Sequence, residues 1–353
     1  MAIKPINFFK EKKSWSLIKD RILSWYLIPY LTKVNRFGRA VFVVDGFAGA
    51  GLYKDGSEGS SFIICKIIEN LRKKGIKASA ILIDYDKDCF SELKRNLKDF
   101  EDKKIALLLN NDFNKLTPEI IKATEKCPMF FYIDPFGIKG LEFDNLKRIF
   151  ERVNIISTEL LVNFNYKALI REFEINSFLT DKVMGGNYYR EILKDNKISD
   201  RDKEDKIIEL YKSKYKEYFT YVGSCPVMYK DEQMAKYYLI FATSHFDGFR
   251  LMNDRMGEIY REFYTEGRLF QNLPEDKQRN LTLLKNEILN FLKNKPKSRR
   301  TVKEHFMKQY FMRYKESDYN QIIKNLLEKK EIYSDTGKNR INDDNLLSSV
   351  HQK

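Results

Sequence analysis

One stretch decides the fold: Val41-Phe42-Val43-Val44-Asp45-Gly46-Phe47-Ala48-Gly49-Ala50-Gly51. Its first four residues are apolar and mostly β-branched, which is typical of a short strand buried on both faces of a parallel sheet. A carboxylate ends the strand, and glycines follow it at three positions. Glycine tolerates positive φ and lets the backbone approach a ligand closely. We therefore predict a ligand-binding turn at the carboxyl end of the first strand, where open α/β sheets bind their ligands.

Short apolar strands and amphipathic helices alternate after this turn, which predicts a Rossmann-like, doubly wound α/β sheet. A polar helical insertion is expected at 167–219, and two strands that form an antiparallel hairpin follow it, completing seven strands. The predicted strands cover 39–44, 78–84, 105–110, 129–134, 159–163, 220–229 and 236–245. The predicted helices cover 15–34, 60–74, 86–100, 117–124 (with Pro118 in its first turn), 143–152 and 247–264.

Acidic side chains follow the next two strands. Asp84 ends the second strand, where nucleoside-binding folds place a carboxylate that holds ribose hydroxyls. Asp112 follows the third strand, where it could contact an adenine ring edge or only begin a helix. The spacing of Gly46, Gly49 and Gly51 differs from the G-x-G-x-x-G pattern of dinucleotide-binding loops. These features favour S-adenosylmethionine as the ligand, bound by a first group of residues: Asp45, Gly46, Phe47, Gly49, Gly51, Asp84 and Asp112.

The fourth predicted strand ends in Asp134-Pro135-Phe136-Gly137. Methyltransferases that act on nucleobase amines have Asp/Asn-Pro-Pro-aromatic at this place, where a carboxylate and a backbone carbonyl accept from the amine. Here the aromatic residue comes one position early, so Phe136 could stack on a base or simply pack on the sheet. Asn163, at the end of the fifth strand, faces the same crevice and could bind substrate or only fix a turn. Asp134, Pro135 and Phe136 are the candidate catalytic residues.

The chain carries 64 basic and 50 acidic residues, a net charge of +14, which favours a polyanionic partner. Residues 277–353 alone have a net charge of +9. Their pattern predicts helices at 281–292, 301–310 and 317–329, a hairpin at 331–341 and a frayed tail from Asn342, which together suggest a winged helix-turn-helix domain. Such a domain could bind nucleic acid or protein. The candidate contacts to nucleic acid are Arg299, Arg300, Lys303, Lys338 and Arg340.

Several classes of protein are disfavoured by composition. No stretch approaches 18 uninterrupted apolar residues, so no membrane span is expected, and the polar N-terminus does not resemble a signal peptide. The 4 cysteines are scattered and only 3 histidines occur, so we expect reduced thiols in a cytoplasmic protein and no metal site. The predicted domains cover 1–270 and 271–353.

The chain resembles the three-Cys-motif partner (TcmP) family of bacterial and archaeal proteins over about residues 10–265. The resemblance lies in the following residues: Trp15-Ser16 with Lys19 and Leu23, the run from Val44 to Tyr53, Gly59-Ser60, Asp134-Pro135-Phe136-Gly137, Leu161-Val162-Asn163-Phe164, and the run from Tyr237 to His245. At Ser61 the family usually has proline. The resemblance implies a class I S-adenosylmethionine-dependent methyltransferase-like fold and a partner protein, encoded nearby, that carries the three cysteines.

Three functions are compatible with this pattern. The leading hypothesis is a methyltransferase that acts on nucleic acid, with a base amine as one candidate acceptor. The second is a non-catalytic module on a degenerate methyltransferase scaffold, whose C-terminal domain tethers a partner to nucleic acid. The third is a nuclease or phosphoryl-transfer enzyme that binds a metal through Asp45, Asp84 and Asp134.

Overall fold

The computed structural model describes residues 12–228, 235–265, 280–338 and 341–350. The chain divides into two compact units, Met1–Phe249 and Arg250–Lys353. The second unit thus begins earlier than the boundary at 270/271 that the sequence suggests. None of the helices in the described ranges is both long enough and apolar enough to cross a membrane.

The first unit contains a seven-stranded sheet with the order β3-β2-β1-β4-β5-β7-β6. Strand β7 pairs antiparallel with both β5 and β6, and the other neighbouring pairs are parallel. This topology confirms the predicted Rossmann-like sheet of the class I methyltransferase type with its terminal hairpin. The strands are β1 (Val41–Asp45), β2 (Ala78–Asp84), β3 (Ala106–Asn110), β4 (Met129–Ile133), β5 (Thr158–Phe164), β6 (Tyr221–Met228) and β7 (Ala235–Thr243).

The core lies on the central strands, and every residue of β4 and β5 is buried. Helix α1 (Ser14–Val34) covers one face, where the Tyr26 ring lies 5.6 Å from that of Phe130 and 5.0 Å from that of Phe241. Tyr26 also donates a hydrogen bond to Glu159 inside this core. Burial raises the pKa of Glu159 to about 7, although hydrogen bonds from Tyr26 and Thr243 lower it.

Helices connect the strands, but two predicted helices differ from the observed ones. The helix predicted at 86–100 is broken at Leu97 into α3 (Lys87–Asn96) and α4 (Lys98–Asp102). Pro118 lies inside α5 (Phe113–Ala123) rather than in its first turn. Helix α5 begins earlier because Asp112 caps it, accepting from the backbone N–H groups of Asn114 and Lys115. The helices are α2 (Ser60–Arg72), α3 (Lys87–Asn96), α4 (Lys98–Asp102), α5 (Phe113–Ala123) and α6 (Phe143–Glu151).

The segment 167–219 is helical, as predicted. It contains α7 (Tyr166–Ile175), α8 (Ser177–Met184), α9 (Arg190–Lys194) and α10 (Asp200–Lys216). The polar composition of α10 still leaves one apolar face, on which Ile207, Tyr211 and Tyr215 are buried. Tyr211 stacks on Phe164 of β5 with ring centroids 4.2 Å apart, which fastens the insertion to the sheet.

The second unit takes in α11 (Phe246–Thr265) from Arg250 onward, together with α12 (Leu281–Leu292), α13 (Arg299–Gln309) and α14 (Glu316–Glu328). Asn253 of α11 explains where the unit begins. It donates to the Tyr314 carbonyl and accepts from the Met312 N–H, both at 2.8 Å, which ties α11 to the segment before α14.

The prediction of a frayed tail from Asn342 is wrong for residues 346–349. There, β10 (Leu346–Ser349) is the central strand of a three-stranded antiparallel sheet, between β8 (Lys297–Ser298) and β9 (Ile332–Ser334). Leu347 and Ser349 are buried and Leu346 is exposed, so the strand has the period of two that a half-buried strand needs. The hairpin predicted at 331–341 is therefore too short, because the strand that pairs with β9 is β10, which lies beyond residue 341. The winged-helix assignment stays a prediction.

Candidate functional site

A cavity of about 1000 Å³ opens in the first unit at the carboxyl ends of β1, β2, β4 and β5. This is the upper end of the size range of small-molecule sites, and it is the edge at which open α/β sheets bind ligands. Its lining includes most residues of the two predicted groups: Gly46, Phe47, Gly49, Asp84, Asp112, Asp134, Pro135 and Phe136. Asp45 and Gly51 do not belong to the lining.

Asp45 is buried beneath the glycine-rich turn and organises it. Its Oδ1 accepts from the Phe47 N–H at 3.1 Å, and its Oδ2 accepts from the Ser60 hydroxyl at 2.8 Å. Burial raises the pKa of Asp45 to about 7, against the opposite effect of these two hydrogen bonds. Asp45 therefore joins the turn to the start of α2 and does not face the cavity.

The glycines of the turn are required by close packing and by backbone conformation. A Cβ atom on Gly46 would lie 2.8 Å from the Phe113 ring, so this position has no room for a side chain. Gly49 and Gly51 have φ values of 62° and 79°. Gly51 packs against Leu93 outside the cavity, whereas Gly49 lines it.

Asp84 connects the second strand to the glycine-rich turn. Its Oδ2 accepts from the Gly49 N–H at 2.8 Å, and its Oδ1 accepts from the Asp86 N–H at 2.9 Å. Burial raises the pKa of Asp84 to about 6, even though both backbone hydrogen bonds lower it. A carboxylate has about four acceptor positions. Asp84 can therefore hold the turn and still accept from ligand hydroxyls.

Asp134 lies just after β4 and is already surrounded by donors. Lys19 of α1 forms an ion pair with its Oδ2. The Tyr132 hydroxyl donates to the same oxygen at 3.1 Å, and the Asn163 amide donates to Oδ1 at 2.5 Å. Burial lowers the pKa of Lys19, but the negative Asp134 and then Asp20 outweigh burial, so the net shift is upward. The Asp134 carboxylate is therefore held in an ion pair with Lys19.

Three of the lysines that line the cavity come from separate segments, and one of them is the Lys19 that pairs with Asp134. Lys19 comes from α1, Lys167 from the first turn of α7, and Lys236 from β7. The Lys236 ammonium lies 3.4 Å from the centroid of the Trp15 ring, a cation–π contact. Burial, then the positive charges of Lys19 and Lys167, lower the pKa of Lys236 to about 8. Nothing in the local pattern around these lysines distinguishes them from others in a lysine-rich chain.

Asn163 is the penultimate residue of β5 and lines the same cavity. The side chain is buried, with 7% exposed, and its amide nitrogen donates to Asp134. A carboxylate accepts only, so this contact fixes which end of the amide is nitrogen. Among the described residues, the Asn163 Oδ1 atom has no hydrogen-bond partner. A buried acceptor in this condition is unusual and is suited to a ligand donor.

Phe136 and Asp112 both line the cavity. The Phe136 side chain is 58% exposed, so a planar ligand can reach it. Asp112 Oδ1 accepts from the first backbone N–H groups of α5, which supports the interpretation as a helix cap.

The basic residues of the C-terminal unit are not equivalent. Lys303 is almost fully buried, with its ammonium 3.0 Å from Glu316 and 2.6 Å from Asp343, so it cannot reach a phosphate in this structure. Arg299 donates to the Ile341 carbonyl and to Asn320, and its side chain is largely buried. Arg300 and Lys338 are exposed. Arg340 lies outside the described residues.

Over the described ranges, no three histidine, cysteine or acidic residues are grouped so that they could hold a metal ion. Asp45 instead accepts hydrogen bonds from the turn and from α2, and Asp134 is engaged by Lys19, Tyr132 and Asn163. None of the four cysteines forms a disulfide bond; Cys127 is half-buried and the other three are buried.

Comparisons with known proteins concern the fold. No protein-family model matches the chain, and no curated protein matches it in sequence. Among solved structures, a Legionella pneumophila protein of the family DUF519 is 9% identical, with 70% of this chain and 93% of that one covered and a TM-score of 0.43. The methyltransferase domain of the bacterial protein CtHen1-C is 12% identical, with 63% and 100% covered and a TM-score of 0.32. A methyltransferase from Geobacter sulfurreducens is 15% identical, with 62% and 78% covered and a TM-score of 0.29.

Proposed function

We propose that the protein is an S-adenosylmethionine-dependent methyltransferase that acts on nucleic acid. The observation that carries this proposal is that one cavity, at the carboxyl ends of the strands, is lined by the Gly46–Gly49 turn, by Asp84 and Asp112, and by Asp134-Pro135-Phe136. A methyl donor and an acceptor need to meet within one enclosure, since positioning supplies most of the rate enhancement in such a transfer.

The residues near the turn are suited to the cofactor. Gly46 and Gly49 bring the backbone close to the methionine moiety, Asp84 accepts from the ribose hydroxyls, and Asp112 accepts at the adenine edge. When bound, S-adenosylmethionine supplies an electrophilic methyl group on a positively charged sulfur. The raised pKa of Asp84, about 6, leaves its carboxylate ionised at neutral pH, as accepting two hydroxyl protons requires.

At the other end, the acceptor would be held against Pro135 and Phe136, with Phe136 available for stacking on a base. In transfer to an amine, S-adenosylmethionine would supply the methyl group, and Pro135 and Phe136 would hold the acceptor nitrogen toward it. The nitrogen then loses a proton to water at the cavity opening, because Asp134 is engaged by Lys19, Tyr132 and Asn163. The role of Asp134 is to orient Asn163.

Nucleic acid is favoured as the substrate by the net charge of +14 and by exposed cations in the C-terminal unit, among them Arg300 and Lys338. As a winged-helix domain, that unit would bind the nucleic acid and bring it to the cavity. The scattered cysteines favour a cytoplasmic setting, and the resemblance to the three-Cys-motif partner family implies a partner protein that carries the three cysteines. A test of the partner is co-purification with the product of a neighbouring gene of that kind.

A non-catalytic scaffold is the second candidate, and the ion pair between Lys19 and Asp134 favours it. A carboxylate neutralised by a lysine is a weak acceptor for a substrate proton. In this alternative the cavity would bind the cofactor without turnover, and the C-terminal unit would tether a partner to nucleic acid.

Two measurements separate the candidates. Calorimetry of the full chain with S-adenosylmethionine tests the shared claim, and binding weakened by Asp84→Ala is expected under both. Incorporation of labelled methyl groups into total RNA or DNA tests turnover. No detectable binding at millimolar cofactor contradicts both candidates, whereas binding with no incorporation, and a salt-dependent mobility shift that survives Asp134→Ala, favours the scaffold.

A further inference from the structure

The loop between β5 and α7 brings two recognition elements to the same side of the cavity. Asn163 is the penultimate residue of the strand, Asn165 caps the helix by accepting from the Ala168 N–H at 2.9 Å, and Lys167 lies in the first turn. Asn163, Asn165, Lys167 and Ala168 all line the cavity. This segment therefore presents a side-chain amide and a helix start to the same ligand.

The start of α7 is suited to an anion. The first-turn N–H groups of a helix lack carbonyl partners within the helix, and the helix dipole places positive charge there. Lys167 adds a full charge from the helix, and Lys236 adds another from β7. Burial, and then the positive charges of Lys19 and Lys167, lower the pKa of Lys236 to about 8, and a bound anion would offset the repulsion among these lysines.

The Asn163 Oδ1 atom needs a donor. Asn163 lines the cavity, its Oδ1 atom is buried with no partner among the described residues, and its amide nitrogen donates to Asp134. An N–H group of the ligand would satisfy it, whereas a carbonyl at the same place would face an acceptor. The Trp15 and Phe136 rings, which also line the cavity, are suited to a planar ligand between these polar groups.

We propose that the acceptor is a nucleotide unit whose phosphate binds at Lys236, Lys167 and the start of α7, and whose exocyclic amine donates to Asn163 Oδ1. The proposal rests on the proposed methyltransferase function, since it names the acceptor for the same cavity. It assigns amine recognition to Asn163 at the end of β5, and leaves Asp134 as the residue that holds the Asn163 side chain in place.

The test uses the full-length protein with S-adenosylhomocysteine at saturation, which occupies the cofactor end. Trp25→Phe leaves Trp15 as the only tryptophan, so its emission reports binding beside Lys236. Two matched pairs of probes differ by an amine against a carbonyl: cytidine and uridine 5′-monophosphate, and adenosine and inosine 5′-monophosphate. In at least one pair, the amine-bearing nucleotide should bind at least about fivefold more tightly, since the wrong group leaves a buried acceptor unpaired.

The variants separate the two parts of the site. Lys236→Ala and Lys167→Ala should each weaken binding of the preferred nucleotide about fivefold to tenfold, but not binding of its nucleoside. Asn163→Leu, with Asn163→Ala as a second variant if the first lowers the Tm, should bring the amine-to-carbonyl ratio to about one. The control is Lys122→Ala, on the exposed side of α5, which should change nothing.

Three results would overturn the proposal: equal binding within both pairs, no loss from either lysine variant, or full competition by inorganic phosphate at the same concentration as the nucleotide, which would mean a general anion site. Failure of the proposed function has a different signature. If S-adenosylhomocysteine does not bind by calorimetry but the nucleotide pattern is found, the acceptor site stands and the methyltransferase assignment falls.

Discussion

The two ends of the cavity have opposite charge, and they are assembled in different ways. At the acidic end, Asp84 and Asp112 follow directly after neighbouring strands of the sheet. At the basic end, Lys19, Lys167 and Lys236 come from α1, α7 and β7, which are far apart along the chain. The acidic end is a property of the strand ends themselves, whereas the basic end exists only after the helical insertion and the terminal hairpin have packed.

The carboxylates at the acidic end also stabilise the local structure. Asp84 fastens the glycine-rich turn through Gly49, and Asp112 begins α5. At the basic end, Lys19 forms an ion pair with Asp134. This pair lies where the basic end of the cavity meets the acidic end. A substitution at the acidic end should therefore alter cofactor affinity and turn geometry together, while one at Lys236 should alter anion affinity without changing the turn.

The largest effect is expected where the two ends meet. Lys19→Met leaves Asp134 charged and nearly buried without its cation, and should lower the free energy of unfolding by about 3 kcal/mol. Urea denaturation of the full chain measures this, with Lys122→Met as the control. Adding Asp134→Asn should restore most of the loss, because the uncompensated charge is gone. A change below about 0.5 kcal/mol would show that the pair does not organise the junction.

The next effect concerns the acidic end alone. Asp84→Ala removes the acceptor for the ribose and releases the Gly49 N–H, so S-adenosylmethionine should bind about 10- to 100-fold more weakly by calorimetry. Asp102→Ala, an exposed carboxylate on α4, should leave the affinity unchanged. If Asp84→Ala also weakened nucleotide binding to the same extent, the cavity would not have two separable ends.

Ligand binding at the two ends should also respond to pH in opposite directions and over different pH ranges. Asp84, with its pKa of about 6, gains its charge as pH rises, so S-adenosylmethionine binding should strengthen severalfold between pH 5 and 7. Lys236, with its pKa of about 8, loses its charge as pH rises, so phosphate binding should weaken severalfold between pH 7 and 9. Lys236→Arg should flatten only the second profile, because arginine stays charged. Profiles that move together would contradict the separation.

The smallest effect tests a second basic region, in the C-terminal unit. Arg300→Ala should weaken binding of a 20-base-pair DNA duplex about twofold to threefold and lower the slope of affinity against salt by about one. Lys303→Met should leave that slope unchanged and reduce thermal stability, because it breaks contacts with Glu316 and Asp343. If Arg300→Ala left the slope of DNA affinity against salt unchanged, the surface around Arg300 would not contact the DNA backbone.

The sequence predicts the sheet and the acidic end well for one physical reason. Buried parallel strands are short apolar runs, and their ends meet at one edge, so Asp84, Asp112 and Asp134 could be assigned to a common site from position alone. Asp45 was predicted to face the ligand but lies under the turn, since its direction depends on Ser60 and Phe47. Strand periodicity does not specify such contacts.

The basic end could not be predicted because it depends on tertiary packing. Lys19 and Lys236 are separated by most of the first unit, and each is one lysine among many. Lys303 illustrates the converse: its charge suggested a phosphate contact, but two carboxylates distant in sequence enclose it. Strand β10 was missed for a similar reason, since its four residues pair with segments on either side only in the folded unit.

We propose that one cavity has two separate ends, one for S-adenosylmethionine and one for a nucleotide. Calorimetry of the wild-type protein with S-adenosylmethionine, alone and with the preferred nucleotide at saturation, measures whether both ligands bind at once. We expect one site per chain and an affinity that changes less than about threefold when the nucleotide is present, because the two ligands bind together. Competition between the ligands, or no binding of S-adenosylmethionine at millimolar concentration, would show that the cavity does not have these two ends.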